Sequence, residues 1–207
     1  MKTTTKFWKL LPVAAAALAL GGCGGGGSGN DDSDTPPSSG SIIDCFTANK
    51  TVSFRMTVSN VPANSVIANR STVGPMIYNG QAVTGQTFFY PYGSATYTQN
   101  NYWTVASNGV TMIATIINTN SSTTEPDGTF YPQNMIPGQS VKNSSNQVAT
   151  FVGFESITLA GKTFINTCHI RGTDYQGNVA DGWYAPGYGQ IKAIFSSGEI
   201  DQYNGDL

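Results

Sequence analysis

Cys168 and His169 are adjacent, and a thiol beside an imidazole is the pairing that nucleophilic catalysis uses. The stretch around them, Lys162 to Arg171, predicts a strand, which sends neighbouring side chains to opposite faces. The alternation keeps the two from converging on one substrate, and His169 is expected as an exposed or edge histidine. Glu155, between Phe154 and Ile157 in an otherwise apolar strand, is the carboxylate of most interest for general acid chemistry; Asp174 or Asp181 would have to supply its partner. Its simpler role is to face solvent or to pair with a cation such as Lys162 across a hairpin. Trp183, Tyr184 and Tyr188, set among Gly and Pro, form a candidate ligand surface, because aromatic rings offer apolar faces with polar edges to a sugar or a lipid chain. The alternative is that they fill the core while Gly187 and Gly189 permit a tight bend. The sequence contains no H-E-x-x-H, C-x-x-C or G-x-S-x-G pattern, so no catalytic residue, metal site or cofactor is expected.

The elements that must position these side chains read as strands. Val52, Phe54, Met56 and Val58 alternate with polar residues, as a half-buried strand requires. Residues 65–72 predict a second strand, Gly74-Pro75 and Asn79-Gly80 read as turns, and residues 84–92 as a third strand. Residues 101–107 and 110–118 flank Asn108-Gly109, a pair suited to a type I′ hairpin. Residues 119–129 and 131–138 read as loop and irregular chain. Residues 148–159 and 162–171 flank Ala160-Gly161 as another hairpin, and strands at 190–195 and 199–203 close the chain. No strong helical period appears after the N-terminal region. The expected fold is all-β or nearly so, a curved antiparallel meander sheet (half-barrel) in one domain, with a small β-sandwich or closed barrel as alternatives.

Three N-terminal lysines, Lys2, Lys6 and Lys9, precede an apolar run of 11 residues ending at Leu20, which has the form of a secretory signal and is too short to span a bilayer. Leu20-Gly21-Gly22-Cys23 resembles the lipobox of bacterial lipoproteins, which implies cleavage after residue 22 and acylation of Cys23; an ordinary signal peptide ending in a chance cysteine is the alternative. Gly24 after that cysteine resembles an outer-membrane sorting signal. Residues 23–40 then form the acylated cysteine and a Gly/Ser/Asp/Pro tether, and residues 41–207 a single β-rich domain. With Cys23 acylated, Cys45 and Cys168 are left to form a disulfide in an oxidising compartment, tying the first strand to one near the end, or to remain as two buried thiols.

Beyond residue 22 the chain carries 7 basic against 12 acidic residues, a net charge of −5, with no basic cluster to bind nucleic acid. Four Asn-x-Ser/Thr sequons follow from the Asn/Ser/Thr-rich composition. The C-terminal order Phe154-Glu155, Ala160 to Phe164, and Trp183 to Lys192 resembles a pattern of uncharacterised bacterial envelope lipoproteins, some of which are similar to the half-barrel fold of lipoprotein carriers. That resemblance implies an apolar groove, although no helix is expected to cover it. The expected protein is a non-enzymatic, membrane-anchored envelope lipoprotein of the outer membrane and periplasm, whose partners are the membrane through its lipid and an apolar or amphipathic ligand. An interaction module for an envelope protein or the cell wall is the alternative, and a hydrolase the third reading.

Overall fold

Alternation of apolar and polar residues gives β1 (Val52–Ser59) one enclosed face, with Phe54 and Met56 buried and Arg55 and Thr57 exposed. The computed structural model describes residues 40–60, 68–92, 95–118, 122–126, 128–143, 146–173 and 177–207. After β1 come β2 (Arg70–Tyr78), β3 (Gln81–Tyr92), β4 (Ala95–Ala106), β5 (Gly109–Asn118), β6 (Ser122–Pro126), β7 (Phe130–Pro132), β8 (Ser140–Lys142), β9 (Val148–Leu159), β10 (Lys162–Thr173), β11 (Val179–Ala185), β12 (Gly189–Phe195) and β13 (Ile200–Asp206). All belong to one antiparallel sheet in the order β6-β5-β4-β3-β2-β1-β13-β12-β11-β10-β9-β8, with β7 beside the start of β5. Two meanders thus meet where β1 pairs with β13, and the sheet wraps past a half-barrel into a nearly closed barrel. The lipobox, Cys23 and the tether lie outside the described residues.

Local chemistry sets the corners. Asn79-Gly80 and Ala160-Gly161 both turn with positive φ at each residue, 49° and 77° in the first and 46° and 79° in the second. The β4–β5 hairpin differs from expectation: its turn is Ser107-Asn108, and Gly109 is already paired with Ala106. Glycine is required there for another reason, because a Cβ would lie 2.3 Å from the Tyr131 carbonyl oxygen of β7. Gly74-Pro75 likewise is no turn but the middle of β2. Pro75 lies beyond Val73, the last β2 residue paired with β1, and a Cβ on Gly74 would sit 2.9 Å from the Thr51 backbone. The stretch expected as loop contains the short strand β6, the irregular stretch begins within β7, and β8 follows it; β6 and β8 are the two ends of the sheet.

The interior holds an element that was not expected. Ile42–Phe46 form a short helix, α1, whose Ile42, Cys45 and Phe46 are fully enclosed. Ser41 caps it: its hydroxyl accepts from the Ile43 N–H and its N–H donates to the Asp44 carboxylate, each at 3.3 Å. Phe46 stacks against Tyr131 of β7 and Tyr184 of β11 and meets the edge of Trp103 of β4, at ring separations of 4.7 to 5.7 Å. The Trp103 indole N–H donates to the Phe46 carbonyl at 2.5 Å. Cys45 is bonded to Cys168 of β10, so the disulfide ties this helix, and not the first strand, to the wall. The Gly187 N–H donates to the Thr47 carbonyl, which fixes the chain as it leaves the plug.

Two outcomes test this description. Ala160→Asn should raise stability by about 0.5–1 kcal/mol in denaturant titration, since Asn tolerates the left-handed conformation that alanine resists. Replacing both Cys45 and Cys168 by alanine should lower unfolding free energy by up to about 5 kcal/mol, from the 123-residue separation that the bond spans.

Candidate functional site

The inward faces of the strands define a layer next to the plug. Gln86 of β3, 1% exposed, donates through Nε2 to Ser71 Oγ and to the Gln190 carbonyl, both at 2.9 Å, and its Oε1 accepts from the Gln190 N–H at 2.8 Å. Because β3 and β12 are not neighbours in the sheet, this one amide braces the barrel across its interior. A Cβ at Gly189 would meet Gln86 Oε1 at 2.6 Å, so glycine at φ 61° makes the close approach feasible.

Beside this brace lies a cavity of about 230 Å³. Tyr131 and Tyr184, the rings that stack on Phe46, form part of its wall, so the plug closes one side. Met56, Phe88, Met112 and Phe195 add apolar surface. Gln99, Asn101 and Thr115 make a polar flank that is internally satisfied: the Asn101 carbonyl accepts from Gln99 at 3.3 Å and from the Thr115 hydroxyl at 3.1 Å.

Two further groups on the wall are titratable. Asp201 of β13, opposite Ala193 and Val58 in the ladders, has one carboxyl oxygen buried without a hydrogen-bond partner. Burial, the neighbouring charge of Glu199 and a hydrogen bond shared with Glu199 push its pKa from 3.8 up to about 7. Glu199 is raised by burial as well, although its hydrogen bond with Asp201 opposes the shift. Tyr90 is half-buried on the same wall; burial first, then the charges of Asp201 and Glu199, drive its pKa upward. Sequence reading singled out neither Tyr90 nor Asp201.

The residues that it did single out are divided. Trp183 lies on the outer face, Tyr184 points inward against Phe46, and Tyr188 sits in the β11–β12 turn among Phe54, Phe164 and Tyr203. They form no common surface. Trp183 is only 8% exposed, with His169 stacked on it at 4.3 Å, the Lys192 ammonium 4.7 Å from its ring centre, and its N–H donated to Glu155 at 2.5 Å. His169 is not a free edge residue, since Nδ1 lies 3.2 Å from Glu155 and Nε2 2.7 Å from Asp181. Arg171 completes the cluster on Asp181 at 2.9 Å. Burial opposes the charge of Asp181, but the hydrogen bonds from Arg171 and His169 outweigh it and hold the carboxyl below its usual range. Glu155 therefore pairs with His169 and Trp183, while Lys162 pairs with Asp206 at 2.9 Å and touches the Tyr188 hydroxyl. Cys168 is spent in the disulfide on the opposite face, so it cannot act with His169. Asp174 lies outside the described residues. Among the described residues, no three His, Cys, Asp or Glu side chains are grouped to hold a metal.

No family model and no curated protein matches the chain. Among solved structures it is similar to the crystal structure of a candidate lipoprotein from Parabacteroides distasonis ATCC 8503, 10% identical, with 81% of this chain and 99% of that one covered and a TM-score of 0.40. A likeness at that level transfers neither family nor function.

The Asp201 environment has a measurable consequence. A carboxyl whose folded pKa is raised stabilises the fold fully below its unfolded value near 4 and loses that contribution as pH rises through about 7. Burial and the neighbouring Glu199 set this window; Tyr90, which also faces Asp201, stays protonated across it, and the Lys192 ammonium is drawn to Trp183 on the outer face. Thermal melts should therefore show Tm falling by at least about 3 °C between pH 5 and pH 8, with Asp201→Asn flattening this segment and raising Tm at pH 8. Asp181 and Asp206, both lowered, act in the opposite sense only as pH falls towards and below 4.

Proposed function

We propose that this chain is a non-catalytic, lipid-anchored module of the bacterial envelope that binds a small amphipathic ligand inside its barrel. The carrying observation is the cavity beside the plug, with apolar wall on one part and carboxyl, amide and hydroxyl groups on another. Binding sites commonly combine apolar walls with a few placed polar groups. A volume of about 230 Å³ suits a compact ligand rather than a full acyl chain, which narrows the apolar groove expected from sequence. The anchor rests on Leu20-Gly21-Gly22-Cys23, and Gly24 favours the outer membrane, so the domain would face the periplasm on its tether. Two or more acyl chains on Cys23 would hold it stably, at about 0.8 kcal/mol per buried methylene.

An interaction module is the second reading, and one feature favours it. Ile77, Val105 and Ile165, exposed by 68, 37 and 65%, lie near the ends of strands joined by the β2–β3, β4–β5 and β9–β10 turns. A partner protein could cover such side chains. Native mass spectrometry of the full-length protein released from membranes separates the readings. The ligand reading expects a non-covalent mass that is lost on denaturation and absent from Ala193→Phe, which fills the cavity, while both proteins retain the 2 Da deficit of the disulfide. A bare wild-type chain with that bond intact would favour the interaction module. Labelled palmitate should enter the wild type and not Cys23→Ser.

A further inference from the structure

The polar side of the cavity is not balanced. Its amides and the Thr115 hydroxyl are mutually paired, whereas Asp201 keeps a buried oxygen without a donor, and the half-buried Tyr90 stands near it on the same wall. These two groups come from different strands, β13 and β3, and face the same space. Glu199 adds a second carboxyl against Asp201, so the excess is of acceptors and of negative charge. The nearest cation by sequence is Lys192, whose ammonium instead lies over Trp183 outside the barrel. Lys192 is the one cationic residue among the described residues of the wall, and its ammonium is directed at the Trp183 ring rather than at the carboxyl pair. An anion would add to the repulsion, and a neutral amphiphile would leave the carboxyl pair uncompensated.

The remainder of the wall distinguishes between kinds of cation. A hard metal ion seeks six or more oxygen ligands, and among the described residues no group of three His, Cys, Asp or Glu is placed to hold a metal. Phe88, Tyr90, Tyr131, Tyr184 and Phe195 instead line the space with aromatic surface. Rings beside a carboxylate are the surroundings that attract an organic ammonium, through both charge and the negative ring faces. We propose that the cavity is a receptor for an organic cation, a primary ammonium on a compact apolar or aromatic body. The Asp201–Glu199 pair takes the charge, the Tyr90 hydroxyl accepts a second hydrogen bond, and the aromatic wall encloses the body. This deepens the ligand-binding reading above and rests on it.

Isothermal titration of the full-length protein in lipid nanodiscs, with empty nanodiscs as blank, can compare phenethylammonium chloride with uncharged 2-phenylethanol at pH 8. The ammonium should bind at least about tenfold more tightly than the alcohol. Asp201→Asn should erase this preference and leave the alcohol's affinity within about twofold; Glu199→Gln should reduce the preference in part. The Asn variant removes a charge that the fold disfavours, so loss of folding is not its expected result. Equal wild-type affinities would overturn the organic-cation assignment and leave the amphipathic-ligand reading standing. Binding of neither probe would overturn the assignment, and the native mass spectrum would then decide the broader reading independently. Calcium chloride binding that depends on Asp201, with no ammonium binding, would assign the pair to an inorganic cation and also overturn it.

Discussion

The structure depends on how the interior of a wide barrel is filled. Side chains from about eight strands can fill a barrel between them, whereas a sheet of more strands leaves central space. Here α1 occupies that space, and the Cys45–Cys168 bond holds it covalently against β10. Phe46 then touches rings from β4, β7 and β11 at once, so walls far apart in the sheet share one packed layer. Five helical residues could not remain folded alone, because helix nucleation is unfavourable and so short a segment never recovers its cost. The cap at Ser41, the disulfide and the aromatic contacts together make it persist.

Filling is incomplete beyond the Gln86 brace, and there the chemistry changes. Asp201 is kept in a place where its charged form is disfavoured, which reduces stability at neutral pH for no evident structural gain. The outer cluster of Glu155, His169, Asp181, Arg171 and Lys192 is different. Each of these side chains has a partner, and Glu155, His169 and Lys192 cover Trp183, so that cluster is accounted for as a seal on the outside of the sheet. An unpaired carboxyl in a cavity and a fully paired one on a surface thus lead to different conclusions about function.

Much of the sheet is legible locally. Alternation identifies β1, and Asn79-Gly80 and Ala160-Gly161 are recognisable as tight turns, since these features depend on neighbouring residues alone. The failures have identifiable causes. Gly74-Pro75 reads as a turn because composition does not reveal that β1 begins beside it, and α1 is too short to show a helical period, although Ser41 and Asp44 at a spacing of three carried a capping signal. Asp201 and Tyr90 were invisible for a deeper reason. A polar residue in a strand is read as facing water, and only the long-range register of β13 with β1 and β12 turns Asp201 inward. Trp183 erred in the opposite sense, being covered by charged side chains from neighbouring strands.

The central claim is that α1 is a structural plug locked by its disulfide, and the Trp103 indole N–H reports on it directly, since it donates to the Phe46 carbonyl from a buried position. Hydrogen exchange of that indole proton, followed by NMR before and after reduction, is the most direct test. The account predicts protection comparable to that of the most protected backbone amides in the oxidised protein and a large loss of that protection on reduction. Rapid exchange of the indole proton with the disulfide intact would contradict it.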